Sequence, residues 1–516
     1  MDFMKQLKKF IKFLFGRLVI GALLLIVQFY WIVAICFSIG KYSERISYVL
    51  TIISFLAVVY IVNKDENPAY KLAWVIFISV FPIWGGAMYL YIGNKRPARH
   101  LRKVLDQEME ETKDLLKQDD RVLEELKIKD PSAERQSRYI AGYAGFPIYQ
   151  NSKVEYFSSG ESCYERVLEE LKKAERFIFM EYFIVKEGTM LDEILTILKE
   201  KVKQGVEVRF MYDDVGCISE LDKNFCEKME AYGILCMRFN PFIPIVSTAW
   251  NNRDHRKILV IDGNTAFTGG FNLADEYINR TERFGYWKDS GVMVQGEAVW
   301  NMTVMFLSLW DPLYKIKEDY RIYAPDVLPN RFSEHGGFVQ PYSDTPLDSE
   351  TVGRNIYFNM IGSATQYLYI TTPYLILDNE LVTALCLAAK RGVDVRIITP
   401  GIPDKKMVFY VTQSYFYQLI SAGIKIYSYT PGFIHAKNVI CDGKIASVGT
   451  VNWDYRSFYL HFECGVFFTH AEAIESIYQD YVETIRESHL ITLEECTKPL
   501  LISVMQSILR VFAPLL

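Results

Sequence analysis

The sequence has little that would mark a metalloprotein or a disulfide-stabilised domain. Its nine cysteines among 516 residues include no C-x-x-C pair and no regular disulfide spacing. Its seven histidines show no His/Cys/Glu cluster with zinc-ligand spacing, so neither a metal nor another cofactor is expected. Eight of the cysteines follow the apolar N-terminal region. They read as reduced, buried thiols, which leans towards a cytoplasmic side for the bulk of the chain. A basic excess is also missing: the formal net charge is -5, and no basic, aromatic-rich groove signal argues for nucleic acid. What the chain does have is apolar residues, half of the total, with 15% aromatic. That composition suits a membrane protein with a large folded portion, and the length allows two or three domains.

The apolar residues concentrate at the N-terminus. Lys5, Lys8, Lys9, Lys12 and Arg17 precede an uncharged run from Leu18 to Ile39. That run is long enough to cross a bilayer and too long for a typical cleaved leader, so a retained anchor is expected. A second run, Ile46 to Val62, is at the lower limit for a span. A third, Leu72 to Ile92, contains Pro82 and Gly85-Gly86, which favour a kink or a re-entrant segment. Basic residues flank both ends of this region, at the N-terminus and from Lys95 to Lys103. Both want the cytoplasmic side. Three full spans would separate them; two spans and a re-entrant third would not, and the sequence favours the second arrangement. Residues 1–95 are therefore expected to be a multi-pass cell-membrane anchor. Residues 96–135, dense in charge with Leu at helical spacing, are expected to be a solvated helical spacer.

The rest of the chain is organised by a repeated stretch. The first copy reads His255-Arg-Lys257, then Asp262, Gly269-Gly270 and Asn272; the second reads His435-Ala-Lys437, then Asp442, Gly449-Thr450 and Asn452. The separation from His to Asn is 17 residues in both. The repeat extends upstream. Phe177–Ile184 matches Tyr367–Tyr374, and Gly205-Val-Glu-Val matches Gly392-Val-Asp-Val. Each half thus reads as strand, helix, strand and then, after an insert, the motif strand: α/β patterning used twice, a pseudo-twofold pair sharing one cleft. The halves are expected over 136–340 and 341–516.

The motif chemistry follows from its residue types. Histidine can act as a nucleophile near neutral pH and can also carry a proton. Two of them allow one to attack phosphorus while the other protonates the departing alcohol. Lys257, Lys437, Asn272 and Asn452 suit the non-bridging oxygens of a phosphodiester, and Gly270 and Thr450 lie where backbone N–H groups approach an anion. A nucleophilic His needs an orienting acceptor. Asp289 follows His255, and Glu463 follows His435 in the corresponding place, so each is expected to serve its own half. Asp262 and Asp442 complete the candidate catalytic set, although their strand-to-turn position suits a role in fixing the loop. His461 reads as packing. Tyr182 and Tyr374 could line the cleft or belong to the core. Trp453, Arg456 and Ser457 flank the second Asn. The last stretch, Leu500 to Leu516, could lie against a membrane or against the body.

Both copies resemble the signature H-x-K-x4-D-x6-G-G/S-x-N of the phospholipase D superfamily, departing only at Thr450. Within it, the order of parts is similar to that of bacterial cardiolipin synthases. The apolar segments come first, then Asn67–Trp74 leading into Phe81–Gly85, the motif pair, and a Phe512-Ala-Pro-Leu-Leu ending. The resemblance implies two α/β lobes meeting at a metal-free site. It implies phosphatidyl transfer between two phosphatidylglycerol molecules, giving cardiolipin and glycerol, with His255 the nucleophile and His435 the acid/base. Near-symmetric motifs do not themselves fix that order. A hydrolase, or a transferase using another head-group alcohol or phosphatidylethanolamine, uses the same residues. A non-catalytic scaffold does not fit two intact motifs.

Overall fold

The computed structural model describes residues 43–93, 99–241, 252–328, 331–332 and 337–515. The first apolar run, Leu18 to Ile39, lies outside them. The chain divides into a body, Arg99–Pro241 with Asn252–Gln506, and a smaller unit whose described residues are 43–93 and 507–515.

In the smaller unit the second run forms the helix Ser43–Val62. The third run is broken into two helices, Pro68–Val80 and Pro82–Ile92. The break falls at Phe81, because Pro82 has no N–H to continue the first helix and is well placed to start the next. Asn67 caps the first of these two, its side-chain oxygen accepting from Ala69 N–H. Ile61, Tyr70, Trp74, Ile78 and Tyr89 form the unit's core. Among the described residues no helix is long and apolar enough to cross a membrane.

The body holds two mixed sheets. The first is built from β1 (Ser152–Phe157), β2 (Phe177–Tyr182), β3 (Glu207–Asp213), β4 (Leu235–Phe239), β5 (Ile258–Ile261), β6 (Thr265–Gly269) and β8 (Gly291–Gly296), in the order β1-β8-β6-β5-β2-β3-β4. Between β6 and β8 the short strand β7 (Tyr286–Lys288) leaves this sheet. The second is built from β9 (Phe338–Asp344), β10 (Tyr367–Thr371), β11 (Asp394–Pro400), β12 (Lys425–Tyr429), β14 (Asn438–Cys441), β15 (Ile445–Gly449), β16 (Glu463–Thr469) and β17 (Ser488–Leu490). Its order, β17-β12-β11-β10-β14-β15-β16-β9, repeats the first sheet with one extra edge strand. The doubled α/β reading is therefore what the chain folds into.

The local reasons are those the repeat suggests. In each half a parallel β–α–β unit (β2 to β3, β10 to β11) flanks the antiparallel motif hairpin (β5–β6, β14–β15). The crossover helices Thr189–Lys203 and Asn379–Lys390 are followed by Gly205 and Gly392, both at positive φ, the left-handed C-terminal stop that glycine adopts without strain. Every residue of both motif strands β5 and β14 is buried. Tyr182 belongs to the core of the first half.

The charged segment is solvated on one face only. Its helix Arg99–Thr112 buries Leu105 with residues of the helix Val299–Tyr314, and Asp120–Lys129 buries Leu123 and Leu126. It is a wall of the body, not a free spacer.

Asp262 and Asp442, members of the candidate catalytic set, have their carboxylates engaged by the framework. Both sit at positive φ in the hairpin turn. Asp262 accepts from the backbone N–H groups of Glu175, Arg176 and Phe177, and Asp442 from those of Thr365, Gln366 and Tyr367. Each carboxylate thus pins the start of the neighbouring parallel strand to the motif turn. For Asp442, burial opposes ionisation, but the Thr365 hydroxyl and these N–H groups outweigh it and hold the pKa below its ordinary value. A depressed carboxyl pKa stabilises the fold above the unfolded pKa, and that contribution is lost as pH falls through the folded one. Asp442→Ala should therefore cost about 2 kcal/mol of stability, read as a lower Tm, while the folded fraction retains its rate. A rate loss without a Tm change would restore Asp442 to the chemistry.

Candidate functional site

The two motif histidines meet where the halves exchange short strands. β13 (Gly432–Ile434) runs into His435 and pairs in parallel with β7, which runs into Asp289. The His435 N–H donates to Lys288 O at 2.7 Å. Across the pseudo-twofold the same crossing recurs. Asp254 bridges Phe462 in parallel, and the His255 N–H donates to Phe462 O at 2.9 Å, one residue before Glu463.

The crossing reverses the expected pairing of the carboxylates. His435 Nδ1 lies 2.8 Å from Asp289 of the first half, and His255 Nδ1 lies 3.0 Å from both oxygens of Glu463 of the second. Asp289 and Glu463 are the orienting groups, but each serves the histidine of the other half. Sequence proximity suggests the opposite because it carries no sign of the strand exchange.

Burial dominates the electrostatics. His255 and His435 are both 7% exposed, and Lys257, Lys437, Asp289 and Glu463 are buried. Burial pushes His435 down to about 4 and His255 well below its ordinary value, with the lysines of both motifs adding to the shift in each case. The same desolvation takes Lys257 down to about 8 and Lys437 to about 7. The carboxylates differ. Burial works against ionisation of Asp289, but His435, Lys437 and the Ser290 N–H outweigh it and hold it below the ordinary range. Burial wins at Glu463 and raises it well above. The two acceptors are therefore shifted in opposite directions, Asp289 towards ionisation beside His435 and Glu463 away from it beside His255.

The departure at Thr450 has a geometric reason. A Cβ at Gly270 would sit 2.0 Å from Asp289 Oδ1 and 2.8 Å from His435 O, so only glycine leaves room there. At the equivalent position Thr450 fits, and its hydroxyl donates to Glu463 Oε2 and holds the longer side chain. The residues two places before the carboxylates differ in the same way. Trp287 packs on His435 with ring centroids 5.5 Å apart; His461 packs on His255 at 5.5 Å. Trp287 Nε1 lies 3.4 Å from Asp289 Oδ2, and His461 Nδ1 lies 3.8 Å from Glu463 Oε1. His461 is thus more than packing, and the signal for it was its register with Trp287 in the repeat.

His255, His461 and Glu463 place three ligand-type atoms within 4.8 Å of one another. The Arg456 Nε–H donates to His461 Nε2 at 3.4 Å, which leaves the proton on Nδ1 and no lone pair there for a cation. Each motif lysine donates one N–H to its own histidine's carbonyl oxygen, and an ammonium has two more. Asn272 accepts from Ile184 N–H and donates to the Tyr277 hydroxyl, so most of its side chain braces the framework. Asn452 has a buried Oδ1 without a partner among the described residues. Its N–H donates to Ser457 Oγ, and Trp453 stacks on Tyr357 at 4.9 Å. The Tyr374 hydroxyl donates to Asp404 at 2.6 Å. His470 and His489 pair with Asp130 and Glu495, away from the motifs.

The chain that builds this buried pair of His-Lys-Asn sets matches known proteins over most of its length. The family described as cardiolipin synthase, phospholipase-D-like domain, matches residues 167–310 and 357–485, just over half of the chain. The chain belongs to the cardiolipin synthase family of the phospholipase D superfamily. A phospholipase D-nuclease N-terminal family matches residues 52–94. A cardiolipin synthase of Geobacillus kaustophilus is 35% identical over 96% of this chain and 98% of its own length. Cardiolipin synthase 2 of Bacillus anthracis is 36% identical over 90% of each. The crystal structure of phosphatidylserine synthase from Haemophilus influenzae superposes with a TM-score of 0.57 at 16% identity. It covers 74% of this chain and 98% of that one, which shows the shared fold.

Two outcomes test this geometry. Gly270→Ala should lower kcat by about 100-fold with the fold retained, the usual cost of displacing a reacting group by an ångström; an unchanged rate would mean that Asp289 moves aside freely. Lysines held at about 7 and about 8 lose their charge as pH rises through those values. Tungstate, an oxyanion probe, should therefore bind progressively more weakly by calorimetry between about pH 6 and about pH 9. Constant affinity across that range would refute the depressed lysines.

Proposed function

We propose that this chain makes cardiolipin by moving a phosphatidyl group between two phosphatidylglycerol molecules. One histidine, His255 by the family resemblance, attacks the phosphorus of the donor. Binding of the anionic donor favours the imidazolium form of His435, which gives its Nε2 proton to the glycerol oxygen as the P–O bond breaks, leaving a phosphohistidine and free glycerol. His435 then takes the proton from a head-group hydroxyl of the second phosphatidylglycerol. That oxygen attacks phosphorus, the P–N bond breaks, and His255 is restored. The spare N–H donors of Lys257, Lys437 and Asn272 stabilise the extra charge on the non-bridging oxygens. The crossed histidine–carboxylate pairs carry this reading. Each histidine has one nitrogen oriented and the other left for phosphorus or a proton, which a double displacement requires and a scaffold does not.

Lipid substrates suit the apolar surfaces. The helix Ser43–Val62 exposes Ile52, Ile53, Phe55 and Leu56, and the helix Leu500–Phe512 exposes Leu500 and Leu501. With the uncharged run before residue 40, these support a membrane-bound enzyme, and the basic flanks at Lys5–Arg17 and Lys95–Lys103 favour a body that faces the cytoplasm.

The test uses purified protein in detergent with labelled phosphatidylglycerol as sole lipid. Equal amounts of cardiolipin and glycerol are expected. His255→Ala and His435→Ala should each lower the rate by at least about 10^4-fold, because both steps need both groups. Phosphatidic acid with glycerol and no cardiolipin would make the enzyme a hydrolase, and substantial activity in either variant would refute the shared site.

A further inference from the structure

His461 stands two residues before Glu463, in the place that Trp287 holds before Asp289. Each packs its ring on a motif histidine, and each turns a ring nitrogen towards the carboxyl that orients that histidine. Trp287 can only donate there. An imidazole can present either an N–H or a lone pair, so its tautomer decides what Glu463 meets.

Arg456 makes that choice. A guanidinium N–H can only donate, so the 3.4 Å contact from Arg456 Nε to His461 Nε2 needs the lone pair on Nε2 and leaves the proton on Nδ1. The His461 backbone N–H donates to Arg456 O at 3.0 Å, a second tie between the same two residues. Burial, followed by Arg456, Lys257 and Arg253, pushes His461 well below its ordinary value and keeps the ring neutral. In the first half, counting from the motif asparagine, Glu276 takes the place of Arg456, and it accepts from Arg283 at 2.7 Å. The clamp thus accompanies the imidazole; the indole, which has no tautomer to fix, has a carboxylate in its place.

The donor fixed in this way faces an acceptor that needs it. Glu463 is fully buried, so negative charge on it must be met by protein donors. His255 Nδ1 lies 3.0 Å from both of its oxygens, and the Thr450 hydroxyl serves Oε2. His461 Nδ1 is 3.8 Å from Oε1 and has no hydrogen-bond partner among the described residues. A movement of about half an ångström brings the two within hydrogen-bond range, and catalytic hydrogen bonds commonly tighten only once substrate is bound.

We propose that His461 is a positioning residue for phosphatidyl transfer: its Nδ1–H closes on Glu463 Oε1 as positive charge develops on His255, and holds the carboxylate that orients and balances that imidazole. This rests on the double displacement described above. Whether His255 attacks phosphorus or carries the proton, it passes through a positively charged imidazole, so the role of His461 is the same in either assignment. His461 acts through Glu463 and not on the lipid.

Two substitutions separate the two ends of the ring. Asparagine can place an amide N–H where Nδ1 is but falls short of Arg456; glutamine extends to the place of Nε2 instead. The readout is labelled glycerol released from phosphatidylglycerol by the full-length protein in detergent. Glycerol release is common to transfer and hydrolysis, so phosphatidic acid in place of cardiolipin would overturn the functional reading and leave this test standing. His461→Gln and His461→Leu should lower kcat about 10- to 100-fold with KM unchanged, and His461→Asn should recover most of that loss. Arg456→Met, which frees the tautomer without removing the ring, should lower kcat in the wild type and add little in His461→Asn. Equal losses in all three His461 variants would reduce His461 to packing, and a wild-type rate in His461→Gln would remove the Nδ1 donor from the reaction. A loss confined to KM would place His461 against the lipid. Each of these, or full additivity of Arg456→Met with His461→Asn, would overturn the proposal.

Discussion

The strand exchange between the halves is the contact on which the site depends. β7 and β13 each leave their own sheet and pair with one another, and Asp254 and Phe462 do the same on the other side. Backbone hydrogen bonds at these crossings set each histidine beside a carboxylate that its own half does not own. Neither half alone supplies its histidine with this acceptor, so both pairs depend on the docking of the two halves. This is a stronger coupling than two complete sites in contact would give, because breaking the interface removes the acceptor as well as the neighbour.

A symmetric frame then carries asymmetric chemistry through three paired positions. Aspartate is one methylene shorter than glutamate, so Asp289 must come close, and Gly270 leaves it room. Glu463 reaches further and is steadied by Thr450. Trp287 gives His435 a wall with a single N–H, whereas His461 gives His255 a second imidazole linked to Arg456. The result is one histidine beside a carboxyl shifted towards ionisation and one beside a carboxyl shifted away from it. These substitutions make the two histidine environments different without disturbing the strand order.

Much of this was legible in the sequence, and the part that was not has a common cause. Periodicity and the repeat spacing carry the two sheets, since His, Lys, Asp and Asn in register fix a strand, a turn and a second strand. Pro82 marks the break between two apolar helices for a local steric reason. What depends on tertiary crossing was not legible. Asp289 and Glu463 are near one histidine in sequence and the other in space. Asp262 and Asp442 look catalytic because they belong to the signature, yet their hydrogen bonds run to backbone far upstream. The helix Arg99–Thr112 reads as a spacer because its charge is visible and its packing partner, nearly 200 residues later, is not.

The same burial that defines the site makes it unfavourable when empty. Lys257 and Lys437 have folded pKa values of about 8 and about 7, below the ordinary lysine value. For a lysine so shifted the sign is opposite to that of a salt-bridged one: the charged form costs the fold stability at low pH, and the cost fades as pH rises through the folded and then the unfolded value. A bound phosphodiester reverses this. Its negative charge offsets desolvation, raises both lysines, and makes the ammonium form the stable one just where charge develops in the transition state. On the proposed reading, the buried lysines leave the substrate to complete the charge balance, so binding of the anion would itself bring them to the charged form.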